Sequence, residues 1–186
     1  MPRDRVINNY AYRLDHDTGF APHVMDGVCT LCGCKTTTIE VWAQPGSWVV
    51  GIGGNNTGKP NLLIYAMKVE SNSTVAELRR RSPGLTGYLK GHEITESARI
   101  LMSSRFYYFG DKARSLPPEL EQGLIIRRQG CKKVTCEDID RLVAHLERNN
   151  FSIGKYGNPN NPTPKTPTQC GCSRGASKPR SSASCT

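Results

Sequence analysis

Acid, thiol and lysine side chains lie close together between residues 17 and 35. This stretch holds Asp17, Cys29, Cys34 and Lys35 among glycines and prolines, with little apolar surface to bury. Such residues are typical of a loop that holds an unusual backbone shape and presents reactive groups. A neighbouring cation lowers the pKa of a thiol, so Cys29 or Cys34 could act as a nucleophile. Asp17 would then exchange protons or orient the reacting groups, and Lys35 would stabilise developing negative charge.

The cysteines of this stretch allow two other interpretations. Cys29, Cys32 and Cys34 are spaced closely enough to bind zinc, but Cys131 and Cys136 make a poor second pair of ligands, so no metal site is predicted. Buried and chemically inert thiols are the remaining interpretation. The chain has eight cysteines but no apolar leader segment, which favours a reducing compartment such as the cytoplasm over a disulfide scaffold.

Aromatic, glycine-rich and basic segments further along the chain are candidates for nucleotide binding. Residues 105–109 carry aromatic side chains on both faces of a predicted strand, so one face could pack in the core and the other could stack a base. Residues 51–54 resemble a phosphate cradle but lack the P-loop lysine and a following helix, so a hairpin loop is the simpler interpretation. Residues 127–133 hold four cations that could contact phosphates or simply be solvated.

The charge of the chain also suits an anionic partner. The formal net charge is +9 over 186 residues. The last 29 residues contribute four cations and no acid, which leaves +5 for the body. An excess of this size is typical of proteins that bind DNA, RNA or nucleotides, although it also serves solubility.

Periodicity and turn signals predict the elements that would hold these residues in place. Two helix starts are marked by Thr74 with Glu77, a capping box, and by Thr135 with Asp138. The second helix has an apolar stripe at helical spacing and should end at Asn149. Strands are predicted over residues 6–14, 36–42, 48–54, 62–70, 105–110 and 123–128.

This order of elements predicts an α+β fold. Two or three helices are too few to provide the crossovers of a parallel sheet, and the strands at 48–54 and 62–70 should pair antiparallel around a turn. We therefore expect a small, partly closed β-barrel, similar to the PUA and EVE barrels that hold flipped or modified bases. One domain should span residues 1–157, followed by a disordered, basic, Pro/Ser/Thr-rich tail over 158–186. No apolar run is long enough to span a membrane.

The chain resembles the nucleotide modification associated domain 2 family of phage and bacterial proteins. The resemblance rests on ordered segments that together span residues 5 to 157. The segments are 12–22, 29–31 with 34–35, 46–53, 65–67 and 106–110, followed by Gly130 and the closing helix. The chain departs from the family pattern at Ser47, where an acid is usual, and at His23 and Cys131, where asparagine and histidine are common.

The resemblance implies an association with pathways that build or handle hypermodified DNA bases. It leaves open whether the protein is an enzyme or a non-catalytic reader of a modified base, or a phage-type protein that sequesters a nucleotide; it names no cofactor. In the expected mechanism, Trp48 and Tyr108 stack the base while Asp17 reads its edge. The predicted nucleotide-binding residues are Phe20, Trp48, Gly53, Tyr107, Tyr108 and Arg128.

Overall fold

The structure is a computed structural model that describes residues 7–33, 37–128 and 130–161. These residues form two β-sheets and four α-helices. The strands are β1 (Asn9–Leu14), β2 (His23–Met25), β3 (Val28–Leu31), β4 (Trp48–Gly53), β5 (Leu63–Lys68), β6 (Ser71–Thr74), β7 (Arg99–Ser103), β8 (Phe106–Tyr108), β9 (Cys131–Val134) and β10 (Gly154–Lys155). The helices are α1 (Thr37–Trp42), α2 (Val75–Arg81), α3 (Pro118–Leu124) and α4 (Cys136–Arg148).

Sheet 1 has six strands in the order β10-β8-β5-β4-β1-β9, and sheet 2 has four in the order β2-β3-β7-β6. In sheet 1, β1 is parallel to β4 and β10 is parallel to β8, whereas β5 is antiparallel to both β4 and β8. Strands β1, β4, β8 and β10 therefore run in one direction. Their carboxyl ends all lie at the same end of sheet 1.

Sheet 1 separates two apolar layers, because side chains alternate between its faces. One face packs against sheet 2 and contributes Tyr12, Tyr65 and Tyr108 to the core between the sheets. The opposite face, with Val50 and Tyr107 among its residues, is covered by α3 and α4. The result is three layers, with sheet 1 in the middle.

The predicted α+β class is confirmed, but the predicted small barrel is wrong. The antiparallel hairpin of β4 and β5 forms as expected, with Trp48 opposite Lys68. After β5, however, the chain leaves sheet 1, and β6 pairs with β7 in sheet 2. Because the strands are divided between two sheets with open edges, no barrel closes within the described residues.

Two segments predicted as strands have other structures. Thr37–Trp42 is helix α1, and the Asn72 side-chain amide donates to the carbonyls of Glu40 in this helix (2.9 Å) and Ala43 just after it (2.6 Å). Residues 123–128 contain the end of α3 followed by irregular backbone. The ammonium of Lys132 donates to the carbonyls of Gln122 (2.8 Å) and Ile125 (3.2 Å), near the end of that helix. In both cases a distant side chain satisfies carbonyls that the helix itself leaves free.

The predicted helix caps are confirmed. Thr74 and Glu77 form a reciprocal capping box at the start of α2, and the Thr135 hydroxyl accepts from the Asp138 amide at the start of α4. None of the helices in the described segments is both long and apolar enough to cross a membrane. The predicted boundary after residue 157 stays a prediction, since residues 162–186 lie outside the described part of the chain.

Candidate functional site

Several loops meet at the end of sheet 1 where β1, β4 and β8 finish. We call this region the rim and define it as residues 15–20, 54–59, 109–113, 126–130 (except 129) and 158–161. The loops after β1 and β4 are joined directly, because the Gly54 amide donates to the Leu14 carbonyl at 2.7 Å. The carboxyl ends of parallel strands are a common location for binding sites in α/β sheets, and here they bring together loops from distant parts of the chain.

Asp17 lies at the centre of the rim and is fully buried. Its Oδ1 accepts a hydrogen bond from the Tyr108 hydroxyl at 2.8 Å, and its Oδ2 accepts one from the Asn160 amide at 3.0 Å. Burial raises the pKa of the Asp17 carboxyl, while these two hydrogen bonds oppose that shift. Two residues picked from the sequence, Asp17 and Tyr108, are thus in direct contact, at a point without access to solvent.

Residues 158–161 connect the loops of the rim by hydrogen bonds. The backbone of Asn161 pairs with Asp17, donating to its carbonyl at 2.8 Å, while the Asn161 side chain accepts from the Asp17 amide at 3.1 Å. The side-chain amides of Asn160 and Asn161 also donate to the carbonyls of Thr57 and Asn56. Asn158 and Asp111 exchange two further hydrogen bonds, at 2.8 and 2.9 Å. This short segment therefore holds three loops in one arrangement.

Two glycines permit the close approach of these loops. A Cβ atom on Gly110 would lie 2.0 Å from the Asn158 carbonyl oxygen, and one on Gly53 would lie 2.1 Å from the Lys59 carbonyl oxygen. Real Cβ contacts are never this short, so both positions require glycine. Gly53, predicted as a nucleotide contact, here allows the turn between β4 and β5 to fold back tightly, which agrees with the hairpin interpretation.

Cations border the rim on the side of β1. Arg13 bridges two of its loops, donating to the Ile126 carbonyl at 3.0 Å and to the Asn55 side chain at 2.9 Å. The next residues, Arg127 and Arg128, are exposed and make no hydrogen bond or ion pair with any described residue. Their guanidinium groups are therefore open to solvent, and the nucleotide contact predicted for Arg128 stays a prediction.

Phe20 and His23 belong to an aromatic cluster next to the rim. The His23 ring stacks on Tyr88 at 3.9 Å between centroids, and Phe20 meets the same tyrosine edge-on at 5.5 Å. Nδ1 of His23 lies 2.7 Å from the Gly19 carbonyl oxygen, so Nδ1 carries the proton and Nε2 carries the lone pair. Nε2 is buried and has no hydrogen-bond partner among the described residues. Burial lowers the pKa of His23.

Neither His23 nor Tyr88 was among the residues predicted for the site. In the sequence, His23 stands out only as a departure from the family pattern. Its stacking partner is 65 residues away along the chain, and no local pattern reveals such a contact. Phe20 is itself buried in the cluster, so it packs here rather than offering an open face to a base.

The environment of Cys29 does not suit a nucleophile. The residue is fully buried between the sheets, with its sulfur 3.8 Å from that of Met67, and burial raises the pKa of the thiol. Burial, with a smaller contribution from Glu40, also raises the pKa of Cys32 to about 12. Cys34 and Lys35 lie outside the described residues. Within the described segments, no group of three or more histidine, cysteine or acidic side chains could hold a metal ion.

Trp48 and Tyr107 lie away from Tyr108. They stack on each other, at 6.4 Å between ring centroids, on the face of sheet 1 that α4 covers. Tyr108 points to the opposite face, toward sheet 2. Trp48 also starts β4, which places it about 17 Å from the rim at the strand's other end. Trp48 and Tyr108 therefore do not line one slot.

A comparison with protein-family models gives one match. The model described as nucleotide modification associated domain 2 matches residues 6–85 and 77–165, which together contain every loop of the rim. This is the family that the sequence motifs resemble. The chain matches no curated protein and no solved structure.

Proposed function

Because the chain belongs to the nucleotide modification associated domain 2 family, we propose that it binds nucleic acid, DNA above all, along the rim of sheet 1. The observation that carries this proposal is the pair of exposed, unpaired arginines, Arg127 and Arg128, beside loops held rigidly by Asp17. The family associates the protein with nucleotide modification, and the rim supplies a surface with the charge to bind a phosphate backbone.

Arginine is well suited to this contact, because its planar guanidinium can donate two parallel hydrogen bonds to a phosphate. Arg13 keeps the turn that carries Arg127 and Arg128 attached to the loop after β4. The two arginines are therefore presented from an ordered turn. A preorganised cation loses less side-chain entropy on binding than one on an unanchored loop.

Recognition, rather than catalysis by Cys29, is the role that this geometry supports best. Cys29 has a buried thiol with a raised pKa, and thiolates rather than thiols are nucleophilic. Both carboxylate oxygens of Asp17 already accept hydrogen bonds from the protein. We therefore assign Asp17 a positioning role, in which it holds the loops that contact the nucleic acid.

The test is a salt titration of DNA binding, followed by fluorescence anisotropy with a labelled duplex. Arg127→Ala/Arg128→Ala should lower the magnitude of the log K against log salt slope by roughly 2, and weaken binding roughly 10-fold or more near 0.1 M salt. Arg80→Ala/Arg81→Ala is the matched control, because it removes two exposed arginines from α2, next to the other sheet. Equal losses in the two variants would refute a specific role for the rim.

A groove elsewhere favours a second candidate function, the capture of a free nucleotide. Its volume is about 370 Å³, and Val24, Met25, Phe106, Ile153 and Lys155 are among its lining residues. This volume is within the range of small-molecule sites, and the Lys155 ammonium could pair with a phosphate. Binding of deoxynucleoside monophosphates, measured by isothermal titration calorimetry, should then be lost in Lys155→Ala. Nucleotide binding should be unchanged in Arg127→Ala/Arg128→Ala and in the control variant Lys90→Ala. Unchanged nucleotide binding in Lys155→Ala would refute this candidate.

A further inference from the structure

Arg114 is an exposed arginine whose side chain is held in place next to the rim. The central carbon of its guanidinium lies over the ring of Phe151, 4.8 Å from the ring centroid, and over that of Phe109 at 5.9 Å. These two rings pack edge-on at 5.1 Å, and Phe109 is fully buried. A cation is attracted to an aromatic face, which restricts the side chain without neutralising its charge.

The guanidinium of Arg114 has no other use within the described part of the chain. It makes no hydrogen bond or ion pair with any described residue. Arg79, by contrast, forms an ion pair with Glu96. Because a planar guanidinium can contact an aromatic ring and still donate two parallel hydrogen bonds to a phosphate, Arg114 is suited to bind an anion from outside the chain.

The backbone of Arg114 extends sheet 1 at the rim. Leu63 is the first residue of β5 and lies at the end of sheet 1 where β4 and β8 finish. Its amide donates to the Arg114 carbonyl at 2.7 Å, and its carbonyl accepts from the Arg114 amide at 3.1 Å. Leu63 pairs with Ile52 of β4 on its other side. Arg114 therefore continues the line of β8.

The turn that carries Arg127 and Arg128 lies at the other side of the rim. Gly130 ends this turn, and its carbonyl accepts from the Arg13 amide at 3.1 Å, in line with β9. Four strand spacings separate the lines of β9 and β8 in the order β9-β1-β4-β5-β8. At ~4.8 Å for each spacing, the two sides are about 19 Å apart.

Both sides also belong to the same layer of the molecule. Phe109, which supports Arg114, is buried in the apolar layer between sheet 1 and the helices α3 and α4. Ile126, which precedes Arg127, packs against that layer too. The two groups of cations therefore lie at the same end and on the same face of sheet 1.

We propose that Arg114 contacts a second phosphate of the nucleic acid that Arg127 and Arg128 bind, so that the ligand lies across the end of sheet 1. The inference rests on the proposed function and adds the extent of the ligand. Phosphates of one strand follow each other at ~3.4 Å along a duplex axis, so a span of about 19 Å corresponds to roughly six base pairs. A single nucleotide is too small to meet both sides.

The test uses the full chain and follows the binding of a labelled 12-base-pair duplex by fluorescence anisotropy at several salt concentrations. Arg114→Gln should lower the magnitude of the slope of log K against log salt by roughly 1, because one phosphate contact is lost. Arg114→Lys keeps the charge and should keep the slope. Arg105→Gln is the matched control, because it removes an exposed arginine just before β8, at the end of sheet 1 away from the rim.

A combined variant tests whether one duplex meets both sides of the rim. In Arg114→Gln/Arg127→Ala/Arg128→Ala the separate reductions in slope should add to a total of roughly 3. A total no larger than that of Arg127→Ala/Arg128→Ala would mean that different duplexes occupy the two sides, and it would overturn the inference.

The remaining outcomes separate this inference from the proposed function. Absence of DNA binding by the unmodified chain would overturn both. A reduced slope in Arg127→Ala/Arg128→Ala, together with equal slopes in Arg114→Gln and Arg105→Gln, would overturn the inference alone. Equal reductions in Arg114→Gln and Arg114→Lys would assign the effect to packing on Phe109 and Phe151 instead of charge, which also overturns it.

Discussion

Replacing Tyr108 by phenylalanine isolates the hydrogen bond at the centre of the rim. The change removes one hydroxyl and leaves the ring in the core between the sheets. It also deprives Asp17 Oδ1 of the donor now 2.8 Å away, in a fully buried position where water cannot substitute for it. Tyr107→Phe is the matched control: it is the next residue of β8 and is also buried, but its ring points to the other face of sheet 1.

The expected loss follows from the charge of the acceptor. A hydrogen bond to a charged group contributes about 1.5–3 kcal/mol, against about 0.5–1.5 kcal/mol for a neutral pair. We therefore expect Tyr108→Phe to lower the free energy of unfolding by about 2 kcal/mol near pH 7. For a domain of this size, that loss corresponds to a decrease in Tm of roughly 4–8 °C.

The size of the loss should depend on pH. Burial raises the pKa of Asp17 in the folded protein, so protonated Asp17 adds stability in acid, and this contribution disappears as the pH rises through the folded-state pKa. Removing the Tyr108 hydroxyl takes away one of the bonds that oppose the shift. The difference between wild type and Tyr108→Phe should therefore be largest at neutral pH and should shrink to about 1 kcal/mol once Asp17 is protonated.

Urea denaturation followed by tryptophan fluorescence and circular dichroism, at several pH values between 3 and 8, measures these differences. The unfolding free energies of wild type, Tyr108→Phe and Tyr107→Phe are compared at each pH. Equal effects of the two tyrosine variants, or a Tyr108→Phe effect that does not change with pH, would refute the account of Asp17 as a buried, hydrogen-bonded carboxylate.

Three further predictions concern residues around the site. Because burial lowers the pKa of His23, its NMR titration should lie below the ordinary histidine range. The free energy of unfolding should then fall as the pH drops through about 6.5. A titration in the ordinary range would contradict the conclusion that Nε2 of His23 is buried. In mass-spectrometric mapping of iodoacetamide labelling, exposed Cys136 should react and Cys29 only after unfolding. Gly53→Ala should cost several kcal/mol in urea denaturation, whereas Gly84→Ala, with open space at its Cβ, should be nearly neutral.

Elements with local signals were predictable from the sequence. The capping box at Thr74 and the apolar stripe of α4 depend on residues three or four apart, and both helices form where expected. Helix α1 was predicted as a strand because its β-branched residues favour strands. The carbonyls of Glu40 in this helix and Ala43 just after it instead accept hydrogen bonds from Asn72, about 30 residues away. Tertiary contact thus outweighed local preference.

The sequence named two residues of the candidate site, Asp17 and Tyr108, but neither their arrangement nor the asparagines that hold Asp17 in place. Asp17 and Tyr108 were both selected by residue type, yet they are 91 residues apart, and nothing in the sequence pairs them. Alternation along β8 requires Tyr107 and Tyr108 to face opposite sides, but it does not say which side holds the acid. The sequence therefore predicted a slot between Trp48 and Tyr108, whereas Trp48 stacks on Tyr107.

The hydrogen bond between Asp17 and Asn160 also sets an order of events during synthesis. The two residues are 143 positions apart, so Asp17 leaves the ribosome long before its partner exists. At roughly 5–20 residues per second, the interval is about 7–30 s. Throughout that time, the Asp17 carboxylate lacks the hydrogen bond that the Asn160 backbone amide later donates. The rim is therefore the last part of the body to be finished, and a nascent chain that stops before residue 158 lacks the hydrogen bonds that connect its loops.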